Sequence, residues 1–223
     1  MKTKLVASLG ALMLLIGCAP LAYQIAPIDA MVVDASTGMP LEGVHVLADW
    51  VLERGGLDGA HVTGHLEVKE AITDRNGRFH LDGFVRSISF SQELRNADPR
   101  LFFFKSGYQL VRFSNSYPDA GTTTPGLLRK SQINGITLEL HRLRDDEMGP
   151  NAYATFDSEI RGIAKMDCNW KKFPQLLLTL FSERARLDAK YVREASLPSI
   201  QTIEQFDDRS CGSPTQYFES VNR

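Results

Sequence analysis

Residues 31–50, MVVDASTGMPLEGVHVLADW, decide the fold. The apolar run at 28–33 ends in the turn formers of residues 35–40, where glycine allows positive φ and proline blocks sheet hydrogen bonding. Residues 44–51 then alternate with apolar side chains on both faces. A strand that is apolar on both faces is typical of the middle of a sheet, so we expect a central strand here.

The surrounding residues extend this pattern through residue 143. Four glycines at residues 53–64 predict a loop, as does the Ser, Thr, Gly and Pro content of 114–132. Residues 86–100 fit either a short helix or a loop. Further strands are predicted at residues 66–73, 78–81, 101–104, 109–113 and 136–141, with a tight Asn-Gly turn at 76–77. Short strands at this density predict an antiparallel β-sandwich over residues 28–143.

Three motifs give this region a family resemblance. The first is the turn just quoted, the second is TDRNGRF at 73–79, and the third is KSGY at 105–108. Together they resemble the carboxypeptidase regulatory-like domain, which has a transthyretin-like β-sandwich. The matching positions are Asp34, Thr37, Gly38, Pro40, Leu41, Gly43, Val44, Thr73, Asp74, Gly77, Phe79, Lys105, Gly107 and Tyr108. The resemblance implies a non-catalytic module, since in that family this domain accompanies a separate peptidase domain.

Residues 150–223 change to a helical pattern. Apolar residues recur at helical spacing from Phe156 to Ala164, and Pro174 suits the first position of a second helix. In the second helix Leu177, Leu180, Phe181, Arg184, Leu187 and Tyr191 share one face, with Glu183, Arg186 and Lys190 directed outward. We expect this helix to end near Ala195 and its apolar face to pack within the chain. The predicted class is therefore α+β, a sandwich followed by a helical segment.

The N-terminus carries a targeting signal. Lys2 and Lys4 precede an apolar run at residues 5–16 that is too short to span a bilayer but fits a secretory signal. The sequence LIGC at 15–18 resembles the lipobox of bacterial lipoproteins, which implies cleavage after residue 17 and lipid on Cys18. In Gram-negative lipoproteins, an Asp directly after the lipidated cysteine resembles a signal for retention in the inner membrane. This chain has Ala19 there, which implies the outer membrane if the cell is Gram-negative. Residues 18–27 are predicted to be a tether.

Charge and cysteine content restrict the partners. Removing the two lysines of residues 1–17 leaves 23 basic against 27 acidic residues, a net charge of −4. Without a basic patch, nucleic acid is not an expected partner. Cys168 and Cys211 form an even pair in an oxidising compartment, which favours a disulfide. Two free thiols or two metal ligands are the alternatives.

Few residues suggest chemistry. No nucleophile elbow, Walker loop, dinucleotide-binding motif or HExxH zinc motif is present. His61 and His65, with Glu67 nearby, are the best metal candidates, but glycines surround them and favour solvated loop histidines. The aromatic residues could stack on sugars, although a role in the core is favoured; they are Phe102, Phe103, Phe104, Tyr108, Phe113 and Tyr117. The acidic run at 145–147 is predicted to be a solvated linker rather than a calcium site.

The sequence thus predicts a non-catalytic, lipid-anchored protein of the cell envelope with a structural or partner-binding role. Its partners would be the membrane, through the lipid on Cys18, and an envelope protein or glycan. No catalytic residue, metal or cofactor is expected. A hydrolase with a site between the sandwich and the helices, or a glycan-binding module, remain alternatives. Convergence of His61, His65 and an acid in a pocket would favour the hydrolase.

Overall fold

A computed structural model describes residues 21–89, 91–95, 99–115, 126, 128–205 and 209–221. The fold is mixed. The strands are β1 (Leu21–Ile25), β2 (Ile28–Asp34), β3 (His45–Gly56), β4 (Gly59–Ile72), β5 (Arg78–Leu81), β6 (Phe84–Ile88), β7 (Glu93–Leu94), β8 (Arg100–Phe104), β9 (Val111–Ser114), β10 (Leu128–Arg129) and β11 (Thr137–Leu140). The helices are α1 (Ala154–Lys165), α2 (Pro174–Tyr191), α3 (Ile200–Glu204) and α4 (Pro214–Val221), with 3-10 turns at Asn169–Lys171 and Arg209–Cys211. Cys18 and Tyr117 lie outside the described residues.

Three sheets contain these strands. The main sheet has the order β4-β3-β8-β9, with β7 also paired to β3, and all of its pairs are antiparallel. Two smaller sheets have the orders β10-β1-β6 and β11-β2-β5. In these, β1 pairs in parallel with β10, and β2 pairs in parallel with β11. The sheets are consistent with the predicted sandwich, but the smaller ones are mixed rather than purely antiparallel.

Both faces of the main sheet are buried. Phe103 on β8 and Trp50 on β3 point toward the small sheets, where they join a core with Tyr23 and Phe79. Successive strand residues point to opposite faces, so Phe102 and Phe104 point the other way, into a second core that contains the helices. The prediction of a central strand at residues 44–51 is confirmed, because every residue from His45 to Leu52 is buried.

The helices cover the second face. All four apolar residues predicted for α1 are buried, and the Phe104 ring stacks on Phe156 with centroids 5.9 Å apart. Helix α2 begins at Pro174 as predicted, and it buries Leu177, Leu180 and Leu187 in the same core. The expected packing of α2 within the chain is therefore confirmed. Buried side chains of this size each contribute about 1.5–3 kcal/mol before entropy is subtracted.

The predicted disulfide is present. Cys168, just beyond α1, is bonded to Cys211, and their Cα atoms are 5.4 Å apart, which is a normal separation. The bridge joins positions 43 residues apart in the sequence. By the chain-entropy model, closing such a loop contributes about 4 kcal/mol to stability. It fixes the C-terminal segment, including α3 and α4, against α1.

A buried carboxylate connects the first and third sequence motifs. Asp34, at the end of β2, accepts hydrogen bonds from the Ser36 backbone N–H (2.9 Å), the Tyr108 hydroxyl (2.8 Å) and the Arg142 Nε (2.9 Å). Hydrogen bonds from the Ser36 hydroxyl, then from Tyr108 and Arg142, hold the pKa of Asp34 well below its usual range. The motif residues therefore stabilise a turn and its contact with a distant loop.

Four strands, β1, β6, β7 and β10, were not predicted. Residues 86–100, expected to be a short helix or a loop, contain part of β6 and all of β7, and β10 lies within the expected loop at 114–132. The expected tether at 18–27 is wrong for Leu21–Ile25, which forms β1, because Tyr23 and Ile25 alternate into the core. The expected loop at 53–64 is wrong as well, since β3 and β4 continue pairing to Gly56 and Gly59. Glycines are compatible with strand pairing near a hairpin turn. The glycine content of residues 53–64 therefore predicted a loop where the two strands continue.

Helix α2 departs from its prediction in two details. It ends at Tyr191, before Ala195, where Val192 adopts a left-handed conformation with φ of 51°. Glu183, expected to face outward, is buried. Its carboxylate accepts hydrogen bonds from the Ser106 hydroxyl (2.8 Å) and from Arg186 (2.7 Å), and these partners stabilise a charge that the helical pattern alone assigns to solvent.

The second motif gives a testable difference between two glycines. Gly77 and Gly135 both have positive φ, 71° and 80°. A Cβ at Gly77 would overlap the carbonyl oxygen of Val32, whereas a Cβ at Gly135 would meet nothing within 4 Å. Both Gly→Ala variants lose about 1–2 kcal/mol from the left-handed backbone. We predict that Gly77→Ala loses about 1–3 kcal/mol more in urea unfolding, because its neighbours must shift. Equal losses in the two variants would contradict this account of the turn.

Candidate functional site

His61 and His65, the metal candidates from the sequence, lie in different surroundings in the structure. His61 lies on the exposed part of β4, and its Nε2 is 2.9 Å from Asp58 Oδ1. The His65 side chain is 3% exposed, and its Nδ1 is 2.5 Å from Asp49 Oδ1. The expectation of a solvated loop residue is therefore wrong for His65. Among the described residues, no group of three or more His, Cys, Asp or Glu side chains could hold a metal ion.

A buried ionic cluster surrounds His65. Asp49 on β3 is completely buried, and it contacts His65 on β4 and an amino nitrogen of Arg100 on β8. The register of the sheet produces this cluster, since Asp49 is directly opposite Arg100. A buried carboxylate requires such partners, because an unpaired charge in the interior is strongly destabilising. No local sequence pattern predicts the cluster, because its members come from three separate strands.

The aromatic residues and the acidic run, the other candidates from the sequence, lie in the core and in a turn. Phe102, Phe103 and Phe104 are fully buried and Tyr108 nearly so, which confirms the prediction of a role in the core. The acidic run at 145–147 lies in a turn, where Arg144 pairs with Asp146 and Glu147. These contacts agree with a solvated linker.

A polar cleft lies along the edge strand β4. It has a volume of about 440 Å³ and lies where β4 approaches β5 and the turn before α2. Its lining consists of Glu67, Val68, Lys69, Glu70, His80, Leu81, Asp82 and Lys172. Six of these eight residues are ionisable, with both signs of charge present. Ligand sites are concave and contain convergent polar groups, which makes this cleft a candidate binding site.

Ion pairs fix the acid at one side of the cleft. Glu67 Oε1 is 3.0 Å from Lys172 Nζ, and Glu67 Oε2 is 2.7 Å from Arg86. Burial alone would raise the pKa of Glu67, but Lys172, the Val68 backbone N–H and Arg86 outweigh it and leave the pKa lowered. Glu67 is therefore a charged carboxylate with two cations beside it.

Glu70 connects the cleft to the helical layer. It accepts hydrogen bonds from the backbone N–H groups of Gln175 (3.1 Å) and Leu176 (3.0 Å), in the first turn of α2. These donors have no partner within the helix, and the helix dipole favours a carboxylate there. Burial raises the pKa of Glu70, and the two hydrogen bonds offset only part of this effect.

His80 is the basic group on the opposite wall. Its Nδ1 is 2.7 Å from Asp29 and its Nε2 is 3.1 Å from Asp82. Hydrogen bonds to Asp29 and then Asp82 raise the pKa of His80, and they favour the imidazolium ion. The cleft therefore presents paired charges, which suit a ligand or protein surface that carries both signs of charge.

Comparison with known proteins gives no family. No family model and no curated protein matches the chain. Solved structures with some similarity include 3-chlorocatechol 1,2-dioxygenase from Rhodococcus opacus 1CP, at 14% identity and a TM-score of 0.29, over 56% of this chain and 61% of that one. The major pilin SpaA of Corynebacterium diphtheriae has 12% identity and a TM-score of 0.24, over 52% and 30%. A 9R-lipoxygenase from Cyanothece PCC8801 has 14% identity and a TM-score of 0.25, over 82% and 26%. The chain spans less than two thirds of each of these proteins, and they establish neither a family nor an activity.

A histidine lies in the contact between the sheet and α2. His45 Nε2 is 2.9 Å from the Thr179 hydroxyl, which itself donates to the Gln175 carbonyl (3.0 Å) and therefore accepts from His45. The His45 Nδ1 is buried without a hydrogen-bond partner among the described residues. Burial, and secondarily the charge of Lys105, lowers the pKa of His45 to about 4.

This arrangement predicts a pH-dependent stability. In the unfolded chain a histidine has a pKa near 6.5, so between pH 6.5 and about 4 the unfolded state binds more protons. Stability is complete above pH 6.5 and falls as the pH decreases toward 4, by about 3 kcal/mol from this residue. We predict that His45→Gln removes this component of the pH dependence in urea unfolding, whereas His61→Gln, at an exposed site, retains it. An unchanged pH profile in His45→Gln would refute this assignment.

Proposed function

We propose that this chain is a non-catalytic lipoprotein of the bacterial cell envelope with a structural or partner-binding role. Lipid on Cys18 holds it on the membrane. In a Gram-negative cell, the residue at position 19 favours the outer membrane, with the folded part facing the periplasm. The lipobox-like sequence at 15–18 is the basis for the anchor. None of the helices within the described residues is long and apolar enough to cross a bilayer.

The observation that best supports a non-catalytic role is that the buried acids are paired with arginines. The buried carboxylates in the described structure are Asp34, Asp49, Glu67 and Glu183. Each contacts an arginine, and these contacts join separate strands, turns or helical residues. A general acid or base must instead have a pKa suited to proton transfer, and it must reach an atom of the substrate. The buried charges of this protein therefore support the fold.

The resemblance to the carboxypeptidase regulatory-like domain supports the same proposal. Its motif residues serve as turns and as turn partners, as the contact of Asp34 with Tyr108 illustrates. Such a transthyretin-like module is a scaffold, and any activity would come from a site added to it.

The polar cleft along β4 would be the site for a partner. Its paired charges around Glu67 and His80 favour a protein surface of mixed charge over a sugar. Sugar sites typically offer exposed aromatic faces, whereas the described residues among those predicted to stack on sugars are buried, or, for Phe113, half-buried against the core; they are Phe102, Phe103, Phe104, Tyr108 and Phe113. The hydrolase alternative required His61, His65 and an acid in one pocket. The cleft along β4 is lined by neither His61 nor His65, so it gives the hydrolase alternative no support.

The anchor is tested by replacing Cys18. We predict that Cys18→Ser removes the lipid and releases the protein from the membrane fraction, because several acyl chains, each with about 0.8 kcal/mol per buried CH₂, supply stable attachment. The measurement is membrane fractionation with a high-salt wash, together with the mass of the N-terminal peptide. Ala19→Ser is the matched control and should remain lipidated. A Cys18→Ser protein that stays with salt-washed membranes would overturn the proposal.

A further inference from the structure

The hairpin of β3 and β4 extends beyond the core. Residues of β3 are buried up to Leu52, but Arg54 and the following residues of the hairpin are exposed. At its tip, between Gly56 and Gly59, lies Leu57, whose side chain is fully exposed. Its full exposure at the end of a projecting hairpin leaves this apolar side chain available for a contact outside the described chain.

Two contacts establish that β1 begins at the same end of the molecule as this tip. At the level of Ile25, its sheet partner Phe84 packs edge-on against Trp50 of β3, with ring centroids 5.0 Å apart. Two residues earlier, the Tyr23 hydroxyl accepts from the backbone N–H of Leu94 (3.0 Å), which pairs with Leu52. Moving back along β1 therefore corresponds to moving forward along β3, toward Leu57.

The lengths of the two segments agree. Leu57 lies five residue steps beyond Leu52, which is about 17 Å along a strand. Cys18 lies five residue steps before Tyr23, and five steps can span at most about 18 Å. Between Cys18 and the first residue of β1 there are three residue steps, which reach at most about 11 Å whatever their conformation. Lipid on Cys18 would therefore keep this end of the fold at the bilayer surface.

We infer that the hairpin tip at Leu57 contacts the lipid bilayer as a second attachment point beside the acyl chains. The inference rests on the proposed lipidation of Cys18. Leu57 would enter the interface, with Gly56 before it and Asp58 after it. Asp58, whose Oδ1 is 2.9 Å from the His61 Nε2, would stay at the aqueous side, and the exposed Arg54 would contact phosphate headgroups. The bilayer is favoured over a protein partner because the short connection to Cys18 places lipid within reach of the tip at all times.

Two attachment points would also orient the cleft. Glu70, in the cleft, pairs with Leu47, ten residues before Leu57 on β3. At the rise of a strand this is about 33 Å from the tip. The cleft would then be held away from the membrane, accessible to a partner in the periplasm.

The test uses a tryptophan at the tip of the full-length lipidated protein. Leu57→Trp is reconstituted in vesicles of phosphatidylethanolamine and phosphatidylglycerol, with or without brominated acyl chains. The control is Met39→Trp, also at an exposed site but in the turn before β3, at the opposite end. The native Trp50 and Trp170 are buried and supply the background, which is measured in the unmodified protein. We expect a shift to shorter wavelength and a loss of emission on brominated lipid in Leu57→Trp, and neither in Met39→Trp.

Each other outcome decides against the inference. If both variants remain vesicle-bound and Leu57→Trp is quenched no more than Met39→Trp, the tip does not contact lipid, while the anchor proposal stands. A protein that mass spectrometry shows to be unlipidated, or that leaves the vesicles, overturns both. An emission shift that occurs only after envelope proteins are added assigns the tip to a protein partner and overturns the bilayer contact.

Discussion

Burial of both faces of strand β8 is the constraint on which the rest of the structure depends. Phe103 fills the core between the sheets, while Phe102 and Phe104 fill the core beneath the helices. Because a one-residue register shift would exchange these faces, the position of β8 beside β3 fixes both cores at once. The helical segment is therefore the third layer of one structure. Without it, the apolar face that contains Leu47, Val68, Phe102 and Phe104 would be exposed to water.

Charged contacts add specificity to these apolar layers. Asp49 connects three strands of the main sheet, Glu70 binds the first turn of α2, and Glu183 joins α2 to the turn after β8. These acids lie between elements, so their contacts with their partners form only when the layers are correctly assembled. The cleft along β4 has the same character, because its charged groups, such as Glu67 with Lys172 and Arg86, are paired with one another at the surface.

The sequence predicted what local patterns determine. The alternation at 44–51, the Asn-Gly turn, the start of α2 at Pro174 and the disulfide were all found. It did not predict β1, whose partners β6 and β10 are distant in the chain, nor the hairpin extension, where glycines concealed the pairing. The burial of His65 and Glu183 could not be predicted either. It depends on Asp49, Arg100 and Ser106, which only the tertiary fold brings near.

The central claim is that sandwich and helices form one cooperative unit through β8. The most direct measurement is urea unfolding of Phe103→Ala and Phe104→Ala, with hydrogen exchange of an amide in α2 and one in β3 followed in each variant. Each substitution should cost about 3–5 kcal/mol. The account predicts that both probes lose protection together in both variants, although the two side chains lie in different cores. If Phe104→Ala destabilised α2 and left β3 unchanged, the helical layer would be an independent unit and the account would be contradicted.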